Sequence, residues 1–481
     1  MKNKLFTGIC YFYVILPIAL FFIGWAKIWL SLPLCIILLY AFYKMQSLEF
    51  DLWLPEWTPV NITKGIFLLF LITIWVYFSG IGNYVMQNSD HQARNTLYEV
   101  LVTHHWPVTQ TIMTDGQAQT CGLIYYIGYW LPAAAIGKLF GISAGYFFQF
   151  LWAILGVSIS AVFINSFLKK WSVWPVLLFM LFSGLDALGY LQIGEWNLIL
   201  SFRHLEWWSS FQFSSFTTQL YWVFNQAICA WVLFALLMAS KTNRHIILLL
   251  SCGLLECTFP FIGMLPFVIY ILYTNGKAIC QTATATSLKA LLKELFTIEN
   301  VIGGGIIGIV TFFYLISNRS VQETTQVSGR DFDIIMYLIF ILLEAGIYYL
   351  YAWQYHRRNP LFYISLVSLL ICPLIRVGHA EDFCMRASIP SLILLYFMIA
   401  QCLRNGYHAK RYLYCLSLFI ILAIGSITVI HELGRSVTGT FQQYQKYGKV
   451  VNESFSEETL FQAGNFSGQT DLNIFYKYLS K

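Results

Sequence analysis

The sequence predicts an all-α fold: a polytopic bundle of about 11–13 membrane-spanning helices, with amphipathic juxtamembrane helices in the first large outer loop. Three observations carry that expectation. Only 11% of the 481 residues are charged, less than half of the about one quarter usual in soluble domains, so the chain lacks polar surface to face water on all sides. Its hydrophobic share is 58% and its mean hydropathy +0.64. Apolar runs of roughly 16 to 29 residues recur from end to end, and about 20 residues of helix cross a bilayer. These facts exclude a soluble enzyme, a disulfide-stapled secreted scaffold and a single-anchor receptor. A membrane β-barrel is excluded too, because its strands would alternate apolar and polar residues.

In chain order, spans are expected at about 5–24, 28–45, 65–82, 144–167, 172–190, 219–240, 299–317, 333–353, 361–376, 387–403 and 412–430. The first opens with Lys2 and Lys4 like a signal sequence, but no small-residue cleavage site follows, so it reads as a retained helix. The run 245–273 is interrupted near Glu256 and Pro260 and reads as a hairpin of two short or tilted helices, whose freed backbone groups need protein neighbours. Residues 123–140 carry Tyr125, Tyr126, Tyr129 and Trp130, a density that suits an interfacial helix better than a span.

Basic residues orient the bundle. With the N-terminus cytoplasmic and 123–140 not crossing, sixteen of the 29 Lys and Arg fall at cytoplasmic ends, as the positive-inside rule requires. Residues 1–430 then form the transmembrane domain, with a large outer loop at about 83–143, and 431–481 form a short extracytoplasmic tail. The expected location is the plasma (inner) membrane. The 11 cysteines lie mostly inside apolar runs, with no CxxC pair, and point to neither redox nor zinc chemistry. No P-loop and no GxGxxG on a strand-to-helix turn is present, so ATP or a cytoplasmic sugar nucleotide is not the expected substrate, and no nucleic-acid partner is expected either.

Three polar groups stand out. Asp90 begins a stretch in which Ala93, Leu97, Val100 and Leu101 share one helical face, so 90–105 reads as an amphipathic helix. Ser89 or Asp90 serving as its N-cap, with Arg94 paired at i+4, is one reading. A carboxylate held at the membrane boundary as a general base is the other, and a capped geometry would serve both. The loop Arg376 to Pro390 packs Arg376, Glu381, Asp382 and Arg386 with His379 into eleven residues between two spans. This is either a solvated turn or a place where helix-end arginines grip a phosphate. Glu206, Trp207 and Trp208 suit a sugar ring, or an anchor at headgroup level.

Asn88-Ser89-Asp90 in the first outer loop resembles the acidic motif of the GT-C superfamily of polyprenyl-phosphate-dependent membrane glycosyltransferases, above all the bacterial branch related to protein mannosyltransferases and lipid A aminoarabinose transferases. Leu123-Ile124-Tyr125-Tyr126, Trp130 and Gly137-Lys138-Leu139-Phe140-Gly141 are similar to the juxtamembrane helix of those enzymes, and the following span ends, like theirs, in Lys169-Lys170. The match covers about residues 65–170, and the remainder by architecture. It implies an inverting glycosyltransferase acting on the outer face, moving a sugar from a polyprenyl-phosphate donor to a hydroxyl of a cell-envelope glycan, lipid or protein. Asp90 would be the catalytic base, Arg376, Arg386 and Lys138 the donor-phosphate ligands, and Arg94, Glu206, Trp207, Trp208, His379, Glu381 and Asp382 the acceptor and sugar contacts. Where the family often has a pair of acidic residues, this chain has Asn88, which argues against a metal site and leaves the role of a divalent ion open; no other cofactor is expected. A flippase, transporter or polymerase of lipid-linked glycans is the rival reading. A flippase should carry charges through the depth of the bundle, and a polymerase lacks a base in its first loop.

Overall fold

The computed structural model describes residues 2–114, 117–282, 287–316, 318, 333–377 and 382–481. It is an all-α bundle carrying one small sheet. Helices α1 (Lys2–Trp25), α2 (Ile28–Lys44) and α3 (Pro59–Phe78) lead into α4 (Asp90–Thr103), strands β1 (Thr109–Thr114) and β2 (Gln117–Leu123), and α5 (Leu131–Phe140). Then come α6 (Ile142–Phe167), α7 (Trp174–Leu181), α8 (Asp186–Gln192), α9 (Phe216–Trp222), α10 (Phe224–Ala239), α11 (Ile246–Glu256) and α12 (Thr258–Thr282). The last third contains α13 (Ser287–Leu295), α14 (Gly305–Leu315), α15 (Ile334–Ile341), α16 (Ile347–His356), α17 (Pro360–Ile371), α18 (Asp382–Ala387), α19 (Ile389–His408), α20 (Tyr412–Tyr447), α21 (Glu457–Gln462) and β3 (Ser467–Gln469). Starts are written locally: Thr58 Oγ1 accepts from Asn61 N ahead of Pro59, and Asn359 Oδ1 accepts from Leu361 N ahead of Pro360.

Among the described residues, nine helices are long and apolar enough to cross a membrane. A tenth candidate is bent by 51° between Lys289–Leu295 and Glu299–Leu315, and Phe224–Ala239, Ile246–Glu256 and Pro360–Leu374 are shorter apolar helices. The chain is therefore a multi-pass membrane protein. The expected run 219–240 is split at Val223. The run 245–273 is broken at Cys257, between Glu256 and Pro260 as expected, but gives a short helix followed by a 25-residue one instead of two short ones. Residues 123–140 form only a ten-residue helix after a short 3-10 turn, about 15 Å long and too short to cross.

Two expectations are corrected. Helix α20 does not stop near residue 430 but runs for 36 residues, about 54 Å, well past the about 30 Å of hydrocarbon. The boundary drawn at 430/431 therefore lies inside a helix. Residues after it return to the protein. Ser436 Oγ donates to Phe78 O (2.5 Å), Met86 N to Thr440 Oγ1 (3.0 Å), and Asn452 Nδ2 to Asn83 Oδ1 (2.7 Å). Strand β3 then joins β2, Cys121 opposite Gln469, completing an antiparallel sheet in the order β1-β2-β3. The tail is thus part of the first loop's own fold. The bundle's other end is marked by the bridge Phe50–Ser240 and by Trp53 N donating to Ser166 Oγ (2.8 Å).

Helix α12 packs closely on α18: a Cβ at Gly263 would overlap the backbone carbonyl of Ala387. Backbone atoms have little room to yield, so Gly263→Ala is expected to cost about 1–3 kcal/mol and to lower the thermal unfolding midpoint in detergent. An unchanged midpoint would show that this helix contact is looser than described.

Candidate functional site

A cavity of about 570 Å³ opens at the end of the bundle where α4, the start of α12, α18 and the tail meet. Asp90 and Arg94 line it from α4, Asp382 and Arg386 from α18, and Tyr125 and Tyr126 from the segment after β2. Phe455, Asn465 and Phe466 of the tail close one side. The four charged residues come from two sequence regions almost 300 positions apart.

Both charged pairs have the same construction. Arg94 Nη2 lies 3.0 Å from Asp90 Oδ2, and Arg386 Nη1 lies 2.9 Å from Asp382 Oδ1, each pair spaced i,i+4 on one helix face. In each, the arginine is buried (5% exposed) and the aspartate side chain is open (41% for Asp90, 32% for Asp382). Each guanidinium rests on a phenyl ring, Arg94 5.5 Å from the centre of Phe224 and Arg386 5.8 Å from that of Phe259. Each also keeps a buried N–H without a hydrogen-bond partner, Arg94 Nη1 and Arg386 Nε. Burial alone would pull the Arg386 guanidinium down, but Asp382 and the hydroxyls of Tyr126 and Tyr125 outweigh it, so it stays charged. The two tyrosine rings lie 3.7 Å apart at their centres, within the field of both arginines. Burial holds the Tyr126 hydroxyl above its ordinary pKa, although Arg386 pulls it down, which keeps it a proton donor.

The N-cap reading of Asp90 does not hold. Ser89 occupies the cap position without a side-chain cap bond, and Asn88 Oδ1 instead accepts from Asp90 N (3.1 Å). Asn88 Nδ2 donates to Tyr221 O (2.8 Å), joined there by His91 Nε2 (3.1 Å). An amide both accepts and donates, whereas a carboxylate at 88 would set its oxygen against the Tyr221 carbonyl. This accounts for an amide at position 88, and it leaves the Asp90 carboxylate, paired with Arg94, open toward the cavity. The face Ala93, Leu97, Val100 and Leu101 is buried as expected, though against protein.

The remaining candidates are distributed otherwise. Arg376 is exposed beside the cavity-lining Val377. Lys138 does not line the cavity. Its ammonium donates to the carbonyls of Val102 and His104 and lies 5.2 Å from the Trp106 ring centre, capping the end of α4. His379 and Glu381 lie outside the described residues. Glu206 is buried away from the cavity, accepting from Gln212 Nε2 and Ser215 N (both 2.9 Å), and Trp208 Nε1 donates to Glu344 Oε1 (3.1 Å). Only Trp207 of that trio is exposed, edge-on to His204 and Trp222. His204 Nδ1 meets Glu432 Oε1 at 2.6 Å, and Trp222 Nε1 and Arg435 Nη2 donate to Glu432 Oε2. Burial lowers the imidazole pKa, but Glu432 and Glu206 raise it further, to a net position above its ordinary value. This second cluster ties the loop before α9 to α20 and reads as structural. Phe455 and Asn465 were not singled out in the sequence, and Tyr126 was noted there only for the aromatic density of 123–140 and the resemblance, not as a site residue.

Among the described residues no group of three or more His, Cys, Asp or Glu is arranged to hold a metal. Compared with known family models, curated proteins and solved structures, the chain matches none.

His91, next to Asp90, is fully buried, and burial first, then Arg94, push its pKa down to about 3. An unfolded histidine titrates near 6.5, so below that pH the unfolded chain binds a proton that the folded one refuses, and stability falls as pH falls toward 3. Between pH 7 and pH 5 this group is expected to remove about 2 kcal/mol. Thermal unfolding of wild type and His91→Gln at both pH values checks it. A His91→Gln protein with the same acid sensitivity as wild type would remove histidine as the cause.

Proposed function

We propose that the chain is an inverting membrane glycosyltransferase that moves a sugar from a polyprenyl-phosphate donor to an acceptor hydroxyl of the cell envelope. The observation that carries this reading is the pairing, in one cavity, of an open carboxylate not used in capping with a buried guanidinium that retains a free N–H. Asp90 accepts the proton of the acceptor hydroxyl as its oxygen forms a bond to the anomeric carbon. The bond from that carbon to the phosphate oxygen breaks on the opposite face, inverting the centre. The departing phosphate carries the displaced electron pair, and Arg386 stabilises it. A phosphate leaving group needs no proton, so one carboxylate suffices where glycosidases use two.

Leu315 and Phe259 give the cavity an apolar side suited to the first units of the donor lipid. The cavity faces the extracytoplasmic side in this reading. Lys44, Lys169, Lys170, Lys241 and Arg404 belong to the other end of the bundle, where Arg404 Nη1 donates to Leu168 O, and a cluster of basic residues marks a cytoplasmic edge. Arg376, beside Val377, remains a candidate phosphate ligand at the rim. Neither a flippase nor a polymerase of lipid-linked glycans calls for an open carboxylate at Asp90.

Asp90→Asn preserves size and is expected to lower turnover by about 10²–10⁴-fold, and also to lower the unfolding midpoint because buried Arg94 loses its counter-charge. Arg386→Ala is expected to weaken donor binding. Mass spectrometry of polyprenyl-linked lipids from cells lacking the protein, complemented with each form, reads both. Accumulation of one lipid-linked sugar in the null and the Asn strain supports the base, whereas a correctly folded Asp90→Asn protein that restores the wild-type lipid profile rules it out.

A further inference from the structure

Beneath the cavity the bundle buries a second set of polar groups that the transfer chemistry does not use. Glu256 ends α11 at the helix break, 1% exposed, and one of its oxygens, Oε1, has no hydrogen-bond partner. The Cys229 thiol reaches the carboxyl group from α10. No Lys or Arg is paired with it among the described residues. Cys229 Sγ lies 3.9 Å from Cys257 Sγ at the break itself. Asn225 and Gln226, one turn earlier and on the same helix face at i−4 and i−3, are each 1% exposed, and all four of their amide atoms lack a partner. Tyr13 and Tyr129 are buried with their hydroxyls unpartnered, and Tyr13 lies near Tyr129, Cys229 and Glu256. Gly128 keeps the approach open: a Cβ there would lie 2.5 Å from Glu256 Cγ.

Buried polar atoms are almost always satisfied, and a concentration of unsatisfied ones on adjoining elements calls for an occupant. The atoms identify it. A carboxylate oxygen, amide oxygens and tyrosine hydroxyls are hard oxygen donors. The end of α11 adds the negative pole of a helix dipole and carbonyls that a continuous helix would have paired within itself. Broken helices inside membrane bundles coordinate alkali cations through such helix ends and unwound carbonyls. One carboxylate balances one positive charge, whereas calcium sites recruit several. We infer that Glu256, Asn225, Gln226, Tyr13 and Tyr129 form a buried binding site for a monovalent cation of sodium size at the α11–α12 break. The cation neutralises Glu256 and joins α1, α10 and the start of α12, whose Thr258 and Phe259 line the cavity above. The site stands whether or not that cavity transfers sugar.

The test uses the full-length protein in detergent, with thermal unfolding in sodium, potassium and choline chloride at equal concentration. Sodium is expected to raise the midpoint by about 2 °C or more over choline, saturating with concentration, because a ligand of the folded state alone stabilises it by mass action. Glu256→Gln removes the balancing charge and is expected to abolish the rise. Tyr129→Phe and Asn225→Ala, which keep Glu256, are expected to move it to higher sodium concentrations and carry the test should Glu256→Gln not fold. A wild-type midpoint equal in all three salts overturns the proposal, and so does a sodium response unchanged in every variant.

Discussion

Two guanidinium groups buried at one end of an apolar bundle impose the constraint on which the rest of the site depends. A cation removed from water is tolerated only when its charge is met nearby. Asp90 and Asp382 meet those of Arg94 and Arg386 from one helical turn away, so each pair needs a helix where the membrane ends. The aspartates neutralise without enclosing, because each leaves one arginine N–H unbound. What results is a cavity with two fixed positive centres, two accessible carboxylates and a tyrosine pair between them. That is suitable equipment for an incoming anion and a proton that must leave.

Holding the two helices in register is the work of long-range contacts. Helix α4 begins where Asn88 and His91 bind Tyr221 and ends on the Lys138 ammonium, while the tail fixes its side through Phe455 N donating to Gln92 O (3.3 Å). Helix α18 is positioned by the bare backbone of α12 at Gly263. Helix α12 begins at the same break that ends α11 on Glu256, so that buried carboxyl and the cavity-lining Thr258 and Phe259 are neighbours along the chain. The His204–Glu432 cluster anchors the far side of the tail.

Much of the bundle was legible because its signals are local. A period of 3.6 residues marked α4, apolar runs marked the long helices, and Glu256 with Pro260 marked the break that falls between them at Cys257. The charged pairs were visible as spacing, but nothing in the sequence said that Asp90 and Asp382 face one cavity. The tail's role was unreadable: Ser467-Gly468-Gln469 has neither the length nor the alternation of a strand and becomes one only against β2. Lys138 and Trp208 looked like ligands because long polar side chains at a membrane edge can reach many things. Which carbonyl or carboxylate each one meets is set by tertiary packing. Asn88 read as a lost acid until its two bonds showed why an amide is required there.

The most direct measurement is a high-resolution cryo-electron microscopy map of the protein with a polyprenyl phosphate. The central claim requires the phosphate between the two charged pairs, within hydrogen-bonding distance of the Arg386 guanidinium, with the Asp90 carboxylate facing the side from which an acceptor enters. A phosphate bound elsewhere, with Arg386 still paired only to Asp382, would contradict it.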